Sequence, residues 1–195
     1  NDQISIEEPL EIILKYEDKN NWIENTISIT MRTPGDDEDL VTGFLFNERV
    51  IEKISHIENI VASGEPVGKY KLQNKVIITI NNSENIDIDK IKRNFLTNSS
   101  CGVCGKTSLE SLEIIKKDKI LKSIPKIHHE IIMKSPDILK QNQSEFSKTG
   151  GIHASGLFKD NGEIIAVKED VGRHNALDKL IGFVLKQNLL DNSSQ

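Results

Sequence analysis

The stretch HASGLFKDNGEIIAVKEDVGRHNALDKLIGFVLK, residues 153–186, governs the reading of the fold. Asp160-Asn161-Gly162 is a hairpin-turn signal, because glycine accepts the left-handed backbone that tight turns use. Leu157 and Phe158 precede the turn and Ile164 to Val167 follow it, so a short strand is expected on each side. Leu177, Leu180, Ile181, Val184 and Leu185 then recur at i, i+3, i+4, i+7 and i+8, the spacing of one helix face. The expectation is a helix packed on a hairpin.

Working upstream, Ser135-Pro136 fits an N-cap followed by proline at the first helical position, which predicts a helix from there through about Glu145. Residues 26–33, TISITMRT, alternate like a strand, with Ile27, Ile29 and Met31 on one face and Ser28, Thr30 and Arg32 on the other. Pro34-Gly35 breaks it. The following DDEDLVTGFLFNERVI reads as a helix with acids in its first turn and Leu40, Val41, Phe44 and Leu45 on its apolar face. Residues 54–61 and 75–81 read as strands, separated by a break at Gly64 to Gly68. DIDKIKRNFL, residues 87–96, reads as a short helix with Ile88, Ile91 and Phe95 on one side. Thr107-Ser108-Leu109-Glu110 fits a capping box for another, carrying Leu109, Leu112 and Ile115. The sum is a mixed α/β chain without internal repeats.

The chain of 195 residues carries a net charge of −5 and 36% hydrophobic residues, compatible with one or two packed domains. So mild an acidic balance provides no electrostatic footprint for nucleic acid. No run approaches the roughly 18 apolar residues of a membrane span. No basic and then apolar leader opens the chain. Only two cysteines are present, which argues against a disulfide-stapled secreted scaffold. A cytoplasmic protein with no nucleic-acid or membrane partner is expected.

Both cysteines, Cys101 and Cys104, lie in TNSSCGVCGK, residues 97–106, each followed by glycine. Four readings stand side by side. A zinc knuckle has this Cys-x-x-Cys-Gly shape, but a structural zinc site takes four ligands and there is one cysteine pair. His128, His129, His153, His174 or a second subunit would have to complete it. A thioredoxin-type dithiol opens a helix, whose N-terminus lowers the first thiol's pKa. Here the pair follows a predicted helix, and the next helix signal begins only at Thr107. A sulfur carrier needs an exposed, mobile thiolate that accepts sulfur as a persulfide, with a second thiol nearby to release it by exchange. Two inert buried thiols would want apolar neighbours, which Thr97-Asn98-Ser99-Ser100 are not.

Two further glycine stretches flank the hairpin: Thr149 to His153 before it and Glu169 to Asn175 after it. The second puts Gly172, Arg173, His174 and Asn175 at a helix N-terminus, where free N–H groups and an arginine favour an anion. In the first, Gly150 and Gly151 let the backbone approach a ligand closely. A hairpin brings both stretches to one end, so His153 and His174 are expected to share a pocket with Asp170. The plainer alternatives are a hydrogen-bonded core His153 and an Arg173 paired with Glu169 or Asp170. Together the stretches suggest a phosphate-bearing ligand such as a nucleotide.

RNFLTNSSCGVCGK, TGGIHASGLF and EDVGRHNALDKLIG resemble the FdhD family, the formate dehydrogenase accessory sulfurtransferases, and MRTPGDDEDLVTGFLFNERVI resembles its N-terminal signature. The four motifs occur in order over nearly the whole chain. The resemblance implies an N-terminal α+β region over 1–96, a mobile loop over 97–106 and a larger cytidine-deaminase-like domain over 107–195, in a cytoplasmic homodimer. It implies a sulfurtransferase, a persulfide carrier that takes sulfur from a cysteine desulfurase onto Cys101, with Cys104 as its partner in the loop. The acceptor it implies is the molybdenum cofactor, Mo-bis(molybdopterin guanine dinucleotide), bound as substrate before insertion into formate dehydrogenase, with no permanent metal. The cofactor's nucleotide would meet Gly150, Gly151, His153, Asp170, Gly172, Arg173, His174 and Asn175. The resemblance also implies several dozen further residues past the helix that ends near Gln187, including a late segment that helps hold the nucleotide, so 107–195 reads as C-terminally truncated. A function of another class, a zinc-stabilised binding module on the same loop, remains the alternative.

Overall fold

The computed structural model describes residues 3–81 and 126–189. The cysteine loop, the helix expected over 87–96 and the capping box at 107–110 lie outside the described residues. Within them the chain is mixed α and β, as expected.

The chain opens with an antiparallel hairpin, β1 (Glu8–Asp18) and β2 (Asn21–Arg32). Its two-residue turn puts Lys19 and Asn20 at φ 50 and 65, and paired left-handed residues match the natural twist of two strands. Leu10, Ile12, Leu14 and Tyr16 alternate along β1 and are all buried. That alternation is a strand signal, yet β1 lies outside every element assigned from the sequence.

The period expected for β2 is right, but its faces are not. Ile12 pairs with Ser28 and Ile13 with Thr26, which leaves Ile27 as an extra residue in the ladder. Such a bulge switches the face that later residues present. Ser28, Thr30 and Arg32 therefore turn inward, while Ile29 and Met31 are 62% and 46% exposed. Arg32 is buried because its guanidinium forks onto Asp37, with 2.9 Å bonds from Nε and Nη2, and also donates to the Glu8 carbonyl.

Helix α1 (Asp37–Asn47) follows, with Asp37, Glu38 and Asp39 in its first turn. After a 3-10 turn at Ile54–His56 come β3 (Ile57–Ser63) and β4 (Lys75–Ile80). The four strands form one sheet in the order β2-β1-β4-β3, with β1 and β4 parallel. Leu40, Val41 and Leu45 of α1 pack on Leu10, Ile12, Leu14, Val76, Ile78 and Ile80 to form the main core.

The second half holds α2 (His129–Gln141), α3 (Ser144–Thr149), the hairpin β5 (His153–Phe158) with β6 (Ile164–Asp170), and α4 (Arg173–Lys186). The helix expected to begin at Ser135-Pro136 is corrected here: it starts at His129, and Pro136 lies inside it. Proline has no N–H for the Ile132 carbonyl one turn back. The Ser135 hydroxyl takes that place, donating to the Ile132 carbonyl at 2.9 Å. The β5–β6 hairpin turns as expected, with Gly162 at φ 88 and Asn161 accepting from the Glu163 amide at 2.9 Å.

Helix α4 also falls where expected, but is rotated about its axis relative to the apolar reading. Leu180, Val184 and Leu185 are buried, whereas Leu177 is 46% exposed. Asn175, Lys179 and Gly182 share the buried face. The cause is its crossing with α1, which is made by backbone. A Cβ on Gly43 would collide with the Asp178 carbonyl, and one on Gly182 with the Asp39 carbonyl. Around this crossing, Asp39 accepts from Lys168 at 2.8 Å and from Lys186 at 3.0 Å.

Candidate functional site

The turn from β6 into α4 is built from the inside outward. Asp170 has no exposed surface. Its Oδ1 accepts from the Gly172 amide at 2.9 Å and Asn175 Nδ2 at 3.1 Å. Its Oδ2 accepts from the Thr33 amide at 3.1 Å and the Lys179 ammonium at 2.7 Å. Lys179 Nζ also donates to the Thr33 carbonyl at 2.8 Å, and Asn175 Nδ2 to the Met31 carbonyl at 2.7 Å. Asp170 and Asn175 thus spend their bonding capacity on the protein, locking the turn onto the end of β2.

Gly172 is the N-cap of α4, in extended conformation and with no side-chain cap, and its carbonyl accepts from the Ala176 amide at 2.9 Å. Arg173 and His174 are exposed on the first turn. The two glycine stretches do meet at one end of the hairpin, since His153 is the register partner of Asp170. His153 is exposed, which excludes the core-histidine reading. Gly150 caps the C-terminus of α3 at φ 68, and no atom lies within 4 Å of where its Cβ would stand. The N-terminus of the same helix is capped by Glu169, whose carboxylate accepts from the Glu145 and Phe146 amides at 2.9 Å each. Glu169 therefore ties α3, and with it Gly150-Gly151, to the strand that leads into Asp170.

A cavity of about 660 Å³ lies between β2, the C-terminal end of α1 and the start of α4. Gly172, His174 and Asn175 line it, whereas Gly150, Gly151, His153, Asp170 and Arg173 do not. The remaining wall includes Ile29, Met31, Leu177, Glu48 and Asp178, none of which sequence reasoning placed in a site. The signal missed was the bulge, which turns Ile29 and Met31 outward. Asp178 Oδ1 accepts from Asn47 Nδ2 at 2.6 Å. Burial pushes the Asp178 carboxyl up to about 6; the Asn47 hydrogen bond opposes the rise and the Glu48 charge adds to it.

That position has a pH signature. A carboxyl raised on folding from its ordinary 3.8 to about 6 makes the folded state bind the proton more tightly than the unfolded state. Its ionisation costs stability fully above about pH 6, and the cost fades as pH falls from there toward 4. Asp178→Asn keeps the shape without the charge. It is expected to raise stability at pH 7 by about 1–2 kcal/mol, the linkage value discounted for partial exposure. Urea unfolding at pH 7 and pH 4 checks this, since the gain should vanish at the lower pH.

Among the described residues, the side chains that come together as possible metal ligands are His128, His129 and Glu130, all exposed and with ligand atoms within 4.8 Å of one another. His153 and His174 are not in that group. No helix among the described residues is long and apolar enough to cross a membrane.

The FdhD/NarQ family model matches residues 5–194. The sulfur carrier protein FdhD of Picrophilus torridus is 45% identical over 189 residues, covering 96% of this chain and 66% of that protein. The protein of the same name from Sulfolobus acidocaldarius is 36% identical over 189 residues, covering 97% of this chain and 64% of that protein. The chain thus spans a little under two thirds of the length of the curated relatives it matches. The fold is similar to the crystal structure of a putative formate dehydrogenase accessory protein from Desulfotalea psychrophila, with a TM-score of 0.59 at 24% identity over 94% of this chain and 60% of that one. A family model that runs almost end to end, and relatives this similar over the same length, have one consequence: the chain belongs to the FdhD/NarQ family.

Proposed function

We propose that this protein is a cytoplasmic sulfur carrier in the maturation of formate dehydrogenase. The observation that carries the reading is the extended similarity to relatives named sulfur carrier proteins, 45% and 36% identical over nearly this whole chain. The Cys101 thiolate attacks the outer sulfur of a cysteine desulfurase's persulfide, forming Cys101–S–SH and releasing the donor's thiolate. Cys104, two residues further on, displaces the sulfur as hydrosulfide and leaves a Cys101–Cys104 disulfide, which a dithiol reductant then reopens. The acceptor is the molybdenum cofactor in its bis-guanine-dinucleotide form, a substrate passed on to formate dehydrogenase.

The cofactor's phosphates belong at the uncapped N-terminus of α4, beside Gly172 and Arg173, with open Gly150-Gly151 and exposed His153 and His174 around them. Asp170 and Asn175 hold that turn rigid through their internal bonds. We assign residues 1–96 to one unit, 97–106 to the carrier loop and 107–195 to a cytidine-deaminase-like unit, and read the assembly as a homodimer. The carrier is preferred to the zinc module because the relatives are named sulfur carrier proteins and this sequence offers one cysteine pair where a four-ligand zinc site needs further ligands.

Intact mass after incubation with a desulfurase and cysteine tests the reading. Wild-type protein is expected to gain about one sulfur atom, lost again on treatment with a thiol, because only a thiolate accepts it. Cys101→Ala should abolish the gain. A gain that survives Cys101→Ala and disappears in Cys104→Ala would reverse the two roles. Stoichiometric zinc with no labile sulfur would sink the carrier.

A further inference from the structure

We propose that His128, His129 and Glu130, at the start of α2, form a binding site for an exchangeable divalent transition-metal ion of the zinc class. The site uses neither cysteine, so it stands or falls apart from the carrier reading above. Its three residues are consecutive, and consecutive side chains of a regular helix point about 100° apart. The backbone departs from that pattern here. His128 is the N-cap of α2, extended at φ −66 and ψ 137, while His129 and Glu130 already follow the helix. The Ile131 amide donates to the His128 carbonyl at 3.0 Å and fixes this entry. The two imidazole rings stand 4.5 Å apart between centroids, tilted by 36°. The ligand atoms of all three side chains lie within 4.8 Å of one another.

An ion held at bond lengths of about 2.0–2.2 Å has ligand atoms roughly 3–3.5 Å apart, so small side-chain rotations close the site. All three side chains are exposed and have room for that movement. Glu130 gives up little for it, since its ion pair with Lys134 is 3.8 Å long and both partners are more than half exposed. The donor set decides the metal. Imidazole nitrogen suits zinc, copper and nickel, whereas magnesium and calcium take oxygen. The field at a helix N-terminus opposes a cation, but over the first turn it amounts to about two- to fivefold in affinity. Glu130 lies in that turn, and the same field favours its charge. Three protein ligands leave at least one coordination position for water or for a donor from a second molecule.

The experiment measures zinc binding to the full chain by calorimetry in a Cys101→Ser/Cys104→Ser background, which removes the thiolates as competing ligands. Zinc should still bind there, and magnesium and calcium should not. Adding His128→Ala or His129→Ala should weaken zinc binding at least about tenfold, since even residues that only orient a ligand cost that much. Glu130→Gln should cost less, because a carboxamide oxygen remains. These substitutions fall on exposed residues, so the fold is kept and a loss of affinity reads as a loss of ligands. In NMR spectra the ring signals of His128 and His129 should shift on adding zinc, and those of His153 and His174 should stay. No zinc binding in the cysteine-free background overturns the site, as does an affinity unchanged in the His128→Ala/His129→Ala double variant. Magnesium bound as tightly as zinc, or shifts at His153 and His174 in place of His128 and His129, would overturn it equally.

Discussion

Lys179→Met is expected to cost the fold about 3–5 kcal/mol, the range for breaking one side of a buried ion pair. Lys179 and Asp170 retain 2% and 0% of their side-chain exposure and meet at 2.7 Å. Methionine fills much the same volume, so packing is nearly conserved and the loss comes from charge. Asp170 would keep the Thr33, Gly172 and Asn175 donors but no cation. Adding Asp170→Asn removes the stranded charge and should recover part of the loss. Urea midpoints of the two variants provide the comparison. A single-variant loss below about 1 kcal/mol, the scale of an exposed pair, would mean that water reaches Asp170.

Gly182→Ala should also destabilise strongly, although alanine is the better helix former by about 1 kcal/mol. The new methyl would overlap the Asp39 carbonyl, and a backbone carbonyl inside a helix has no rotamer to escape into. The helices must separate instead, opening the packing around Leu180 and Val184. Overpacking of this kind costs about 1–3 kcal/mol, and here the upper end applies. Gly43→Ala meets the Asp178 carbonyl and should behave alike. One separation relieves both clashes, so the double variant should lose less than the sum of the singles. Strict additivity would show that the two contacts are independent.

These two sites also mark where the sequence stops speaking. The β5–β6 hairpin and α4 were legible because their signals are local: Asp160-Asn161-Gly162 makes its turn by itself, and the apolar spacing of α4, from Leu177 to Leu185, spans more than two turns. What α4 turns toward its neighbours was not legible. Gly43 and Gly182 carry no periodic signal, and Lys179 reads as an exposed residue until Asp170 and Thr33 are seen beside it. The bulge at Ile27 belongs to a pairing between two strands, so the alternation of residues 26–33 alone grouped Ile27, which packs on the core, with the exposed Ile29 and Met31. At the candidate site, Gly150, His153 and Arg173 were singled out by residue type and spacing. The wall formed by Glu48, Asp178 and Met31 joins three elements that only the tertiary fold brings together.

The order of strands in the sheet has a consequence for synthesis. β1 and β2 leave the ribosome before β4 and can pair at once through their two-residue turn. The other neighbour of β1 is parallel: Glu11 pairs with Lys75, and no tight turn can join parallel strands. At about 5–20 residues per second, β4 follows several seconds later. Throughout that interval the row Leu10, Ile12, Leu14 and Tyr16 has no cover from β4, and one edge of β1 is open. The young hairpin is thus a ready template for the wrong strand, whether from a neighbouring chain or from its own polysome. The step that commits this chain to its fold is therefore a closure between distant segments, slow by the logic of contact order.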